Sequence, residues 1–279
     1  MCMRCISDRS GWAGRRGFLL AASALASAPA TAQVDVGNRS GFRKLVSAGE
    51  IESAAGQQYA KMMAEARAQG ALAPTSDPQL RRLRAIAQRI VPFAAQWNER
   101  ARQWNWEVNL IRSKEINAFC MPGGKIAFYT GILERLSLTD DEAAMIMGHE
   151  MAHALREHAS ERIGKTQATG MGLSLMARLL GLGDLGDVAA NIGTQLLTLN
   201  FSREDESEAD LVGLELAARA GYAPQAGASL WRKMAEASGG GGGNLAFLST
   251  HPSGPQRIRE LQANESKVQG LYERARRGG

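Results

Sequence analysis

The chain has 279 residues, 44% apolar and 22% charged, with a formal net charge of +5. That is enough for one good-sized domain with ordinary globular composition. Residues 1–32 carry four arginines against one aspartate, and the other 29 basic and 27 acidic side chains nearly balance, which excludes the one-signed basic face that nucleic-acid binding requires.

Residues 1–32 read as an export signal: Arg15 and Arg16, an apolar run from Phe18 to about Ala28, and a small-x-small end at Ala30-Thr31-Ala32. Cleavage after Ala32 would leave Gln33 first, and the arginine pair resembles a twin-arginine signal. The expected location is the periplasm. The apolar run is shorter than a membrane span, and no eighteen continuous apolar residues occur anywhere. After cleavage Cys120 is the one remaining cysteine, either an active-site thiol or a small core filler beside Phe119 and Met121.

A helix is expected over residues 44–69, and a second from Asp77, with Pro78 in its first turn, to about Arg102. Residues 33–76 then form an N-terminal helical extension and 77–279 the main domain. "WEVNLIRS" alternates as a strand, and "NAFCMPGGKIAFYTG" reads as two strands around a Pro-Gly-Gly turn. A short helix follows near Ile132–Leu136. Thr139 and Glu142 form a capping box ahead of "AAMIMGHEMAHALREHASERI", read as one helix. Residues 166–200 are rich in Leu, Met, Ala and Gly, and within them residues 170–200 could be a lid, a membrane-surface helix pair or core. "SREDESEADLVGLELAARAG" is another helix, a further one ends in the run Gly239–Gly243, "STHPSGP" is a turn, and a last helix starts at about Pro255. The fold class is α+β: mostly helical, with a small sheet.

Three of the four histidines lie in "MGHEMAHALREH", residues 147–158. His149 and His153 are four apart and share a helix face, so two imidazoles can aim at one point. Glu150 is rotated by roughly 100°, free to approach a water without becoming a ligand. This is the HExxH arrangement of two zinc ligands and a general base. His158, five residues after His153 and about 140° around a continuous helix, reads as a packing or surface histidine. A catalytic zinc needs a third protein ligand. Within "SREDESEAD", Glu206 and Asp210 are four apart on one face. One could bind metal while the other accepts a ligand histidine's free ring N–H. An acidic helix start in solvent fits equally well.

"HEMAH", then "SREDESEAD" as SRxxExxxD, then "STHPSGPQRI", in this order and with "NAFCMPGGKIAFYTGIL" upstream, resemble the zinc metallopeptidase family of the CAAX prenyl protease, HtpX and BepA. The similarity covers roughly residues 80–260. It implies a zincin-like fold with the sheet beside the HExxH helix, and one zinc ion per chain. It implies His149, His153 and Glu206 as ligands, Glu150 as base and Asp210 beside His149. His251 and Arg257 match the family's HPxxxxR pattern and would stabilise the oxyanion. Alternatively His251 would take the fourth zinc position and hold the enzyme latent. Asn117, Ala118 and Phe119 lie on an expected edge strand, where an extended substrate could add by backbone hydrogen bonds; an ordinary strand with a core Phe is the alternative. The absence of hydrophobic spans and of a long C-terminal extension places the chain nearest to exported BepA-like members without a repeat domain. The implied function is a periplasmic zinc endopeptidase acting on misfolded or damaged envelope proteins, with protein or peptide partners and room for peripheral contact with membrane or outer-membrane assembly machinery. The rivals are a chaperone-like binding module that keeps the zinc site, and an assembly factor with a structural metal.

Overall fold

The computed structural model describes residues 34–168, 196, 199–239, 246–251 and 254–278, within a compact unit spanning Ala32–Gly279. The expected signal segment, and nearly all of the lid-or-core segment at 170–200, lie outside the described residues. No described helix is long and apolar enough to cross a membrane.

Helix α1 (Ala48–Ala68) starts at an N-cap Ser47 and α2 (Pro78–Ile90) at Asp77, whose side chain accepts from the Gln79 and Leu80 amides. The second helix ends at Ile90, not near Arg102. Pro92 has no N–H to continue the helix, and the chain proceeds in 3-10 turns over Val91–Gln96 and Glu99–Arg102. Strands β1 (Glu107–Ile111), β2 (Ala118–Met121) and β3 (Lys125–Tyr129) form one sheet in the order β1-β3-β2. The β1–β3 pair is parallel and the β2–β3 pair antiparallel. The turn between β2 and β3 uses Gly123 and Gly124 at φ 84° and 77°, a region open to glycine. Cys120 is buried in the main core, and burial pushes its thiol well above its ordinary pKa. It is a filler, not an activated nucleophile.

Helix α3 (Thr130–Arg135) leads to α4 (Asp140–Leu155), where both halves of the Thr139–Glu142 capping box are formed. Every α4 residue from Glu142 to Leu155 is buried, so this is a central helix. It stops at Leu155. Glu157 then takes φ 62°, and a separate helix α5 (His158–Ala168) begins. The single long helix expected from the sequence is therefore two, joined by a left-handed residue. Helix α6 (Arg203–Arg219), opened by a second capping box at Ser202 and Asp205, lies against α4. Gly148 and Gly213 allow that contact: a Cβ on Gly148 would meet the Gly213 carbonyl oxygen at 2.7 Å. Helices α7 (Ala226–Gly239), α8 (Ala246–Thr250) and α9 (Pro255–Arg277) complete the domain.

Candidate active site

His149 and His153 project from α4 and Glu206 from the first turn of α6, while His251 follows α8. One ligand atom from each lies within 4.8 Å of all the others. His149 Nε2 is 3.1 Å from His153 Nε2 and 3.2 Å from His251 Nδ1. Glu206 oxygens are 3.5 Å from His149 Nε2, 3.4 Å from His153 Nε2 and 2.9 Å from His251 Nδ1. Four donors about 2.0–2.1 Å from a tetrahedral zinc stand about 3.3 Å apart, so these separations fit the ion. The donor chemistry, three imidazole nitrogens and a carboxylate, fits it as well.

All four residues are buried. Burial pushes His153 well below the ordinary imidazole pKa, leaving it neutral and able to coordinate. Burial alone would raise Glu206, but hydrogen bonds to His153 and His251 hold it far below the usual carboxylate range. Burial opposes a charge on His251 too, but the Glu150 and Glu206 carboxylates raise it above its ordinary value.

A rigid outer frame fixes these side chains. Asp210, one turn after Glu206, accepts from His149 Nδ1 at 3.0 Å and from Trp231 Nε1 at 3.2 Å. Arg257 donates to both Asp210 oxygens, at 2.6 and 2.7 Å, and lies 2.6 Å from Glu206 Oε2. Its guanidinium also lies 3.6 Å over the Trp231 ring. Burial would neutralise Asp210; the Arg257 charge and the His149 hydrogen bond hold its pKa down. Arg257 is thus committed to two carboxylates and lies outside the cavity described next. In this position it balances and orients the carboxylates that hold the site.

A cavity of about 490 Å³ opens beside the cluster, lined by Glu150, His153 and His251 on one side and by β2 with its flanks, Asn117 to Pro122, on the other. Met62, Tyr129 and Phe201 make its walls apolar. Glu150 is fully buried, and burial raises its pKa. Its Oε1 makes no hydrogen bond among the described residues and is 3.5 Å from His251 Nε2. Strand β2 is the sheet edge, as expected. Because Tyr129 donates to the Asn117 carbonyl at 3.1 Å, antiparallel alternation turns the backbone groups of Ala118 and Cys120 away from β3. The Phe119 ring packs with Tyr59 and Tyr129.

The sequence reading missed three contributors. Trp231 carries no motif. Phe201, stacked on His153 at 3.9 Å between ring centroids, directly precedes SRxxExxxD and could have been suspected. His158 is the packing histidine of the two readings offered, 2% exposed, but it packs on His153 itself, with Nδ1 2.9 Å from His153 Nδ1. The 140° estimate assumed a continuous helix, and the break at Glu157 invalidates it.

The family model for peptidase family M48 matches residues 78–265. The chain belongs to this family. It is 41% identical over 158 residues to the mitochondrial metalloendopeptidase OMA1 of Schizosaccharomyces pombe, covering 56% of this chain and 46% of that protein. It is 27% identical over 195 residues to the metalloprotease LoiP of Escherichia coli, 68% of this chain and 72% of that protein. The beta-barrel assembly-enhancing protease of Escherichia coli is 24% identical over 170 residues, 58% and 35% of the two chains. The M48 membership agrees with the resemblance drawn from the motifs. The preference for BepA-like members does not hold, since identity to OMA1 is the higher. The chain spans less than half the length of the S. pombe relative.

Proposed function

We propose that this M48 chain is a zinc-dependent endopeptidase of the bacterial cell envelope that cleaves extended segments of misfolded or damaged proteins. The observation that carries it is the convergence of His149, His153 and Glu206 on one point, with the Glu150 carboxylate buried beside it at the wall of an apolar cavity. A zinc ion held by these residues supplies Lewis acidity, which acidifies water and polarises a peptide carbonyl. Glu150 accepts the proton of the attacking water and returns it to the leaving amine. The outward carbonyl of Ala118 and the backbone groups of Cys120 align the substrate as an added strand, the Ala118 N–H being held by Asn117 Oδ1 at 2.9 Å, and the apolar walls take a hydrophobic side chain. Envelope location rests on the signal-like segment at residues 1–32.

One observation favours a second state of the same enzyme. His251 Nδ1 lies with the other three donors, so His251 would close the site around a bound metal until substrate displaced it, and would then be free to face the carbonyl oxygen.

The test is zinc content and casein cleavage by residues 33–279, for wild type, Glu150→Gln and His251→Ala. One zinc per chain in wild type and Glu150→Gln, with cleavage lost in Glu150→Gln, is expected. Zinc without cleavage in wild type would favour a binding module, and wild type without zinc would overturn the reading.

A further inference from the structure

The two α4 imidazoles are oriented by different kinds of partner. His149 Nδ1 is anchored by the Asp210 carboxylate at 3.0 Å. His153 Nδ1 meets another imidazole, His158 Nδ1, at 2.9 Å. Since His153 turns Nε2 towards His149 and Glu206, a metal takes that nitrogen, and the neutral ring must carry its proton on Nδ1. Two facing nitrogens cannot both bear protons in one hydrogen bond. His158 Nδ1 is therefore the acceptor, and its own proton is on Nε2. That nitrogen is buried and makes no hydrogen bond among the described residues. It faces Glu208 Oε2 at 3.6 Å, a carboxylate also ion-paired with Arg156.

The fold builds this contact on purpose-made backbone. Glu157, the residue before His158, is held left-handed at φ 62°, a conformation that costs a non-glycine residue free energy. Its carboxylate is clamped by Arg39 at 3.2 Å and Arg43 at 2.6 Å. Arg156 donates to the Gly37 carbonyl at 3.0 Å. A segment more than a hundred residues upstream thus fixes the turn that aims His158 at His153.

We propose that His158 is a positioning residue for the metal site: a neutral imidazole acceptor, backed by Glu208, that fixes the tautomer and ring plane of the ligand His153. The inference rests on the zinc reading of His149, His153 and Glu206, and it assigns His158 no bond to the metal and no contact with substrate.

The experiment compares zinc affinity by chelator competition, and histidine ring ¹H–¹⁵N correlation spectra, for zinc-loaded wild type, His158→Leu and His158→Asn. The expected results are a roughly 10- to 100-fold loss of affinity in His158→Leu and substantial recovery in His158→Asn, whose amide oxygen reaches the Nδ1 position. In wild type, His153 should show an exchange-protected Nδ1–H and His158 an Nε2–H. A folded His158→Leu variant with unchanged affinity would overturn the proposal, as would a wild-type His158 protonated on Nδ1. The spectrum of wild type decides the matter even if His158→Leu fails to fold. Failure of wild type to bind zinc would instead count against the metal-site reading itself.

Discussion

Gly148 and Gly213 meet backbone to backbone where α4 crosses α6, immediately before the first ligand histidine. A Cβ on Gly213 would lie 2.6 Å from the His149 amide nitrogen, and one on Gly148 would lie 2.7 Å from the Gly213 carbonyl oxygen. The separation of His149 from Glu206 is set at this crossing. Gly213→Ala must push the helices apart. It should cost about 1–3 kcal/mol of stability through overpacking and weaken zinc binding. Gly270→Ala, whose Cβ would meet only the Arg274 side chain at 3.4 Å, is the control and should leave zinc affinity unchanged. Chelator competition checks both.

Asp210 holds His149, Trp231 and Arg257 at once. Asp210→Asn leaves the buried Arg257 with less countercharge and should lower stability by about 3 kcal/mol. Zinc affinity should fall about 10-fold or more. Urea denaturation and metal titration measure the two effects separately; unchanged metal affinity would confine Asp210 to a folding role.

Glu142 closes the α4 capping box and receives Lys233 Nζ at 2.7 Å and the Ser229 hydroxyl at 2.8 Å. Burial alone would raise its pKa, but Lys233, the Thr139 amide and Ser229 pull it below the ordinary value. A carboxylate depressed in the folded state adds stability above its unfolded pKa of about 4.3 and loses it as pH falls through that value and further. Wild type should therefore exceed Glu142→Gln by about 1–2 kcal/mol at pH 7, with the gap closing below about pH 4. Urea midpoints across this range test it; a gap independent of pH would assign the effect to packing.

Stripping the metal should lower thermal stability. Zinc at a hundred times its dissociation constant adds about 2.7 kcal/mol, roughly 5–10 °C for a domain of this size. Melting curves with zinc and with chelator should differ by that amount in wild type and coincide in a His149→Ala, Glu206→Gln double variant.

His149 and His153 were legible from local periodicity, one turn apart on one helix face. Glu206 and Asp210 also share a face, but the assignment of Glu206 as a ligand, like the place of His251, came from the resemblance of the motifs. Thr139 and Glu142 announced the start of α4 by their spacing. Arg257 and Trp231 meet Asp210 through tertiary packing between α6, α7 and α9, which leaves no periodic trace. The motif that names Arg257 does not say which way its side chain turns. The contact of His158 with His153 was not legible because nothing in "HALREH" marks Glu157 as left-handed; the clamp that holds it there comes from Arg39 and Arg43, far upstream. The break of the second helix, by contrast, was available from Pro92.

Tyr59 on α1 donates to the Ile126 carbonyl at 2.6 Å, Glu52 receives Arg100 and Trp104, and the Val34 amide donates to the deeply buried Glu215 on the ligand-bearing helix α6. The family model matches only from residue 78, so the matched stretch is smaller than the compact unit that folds. A protein cut to the shared boundary would keep every metal ligand and lose one wall of its own core.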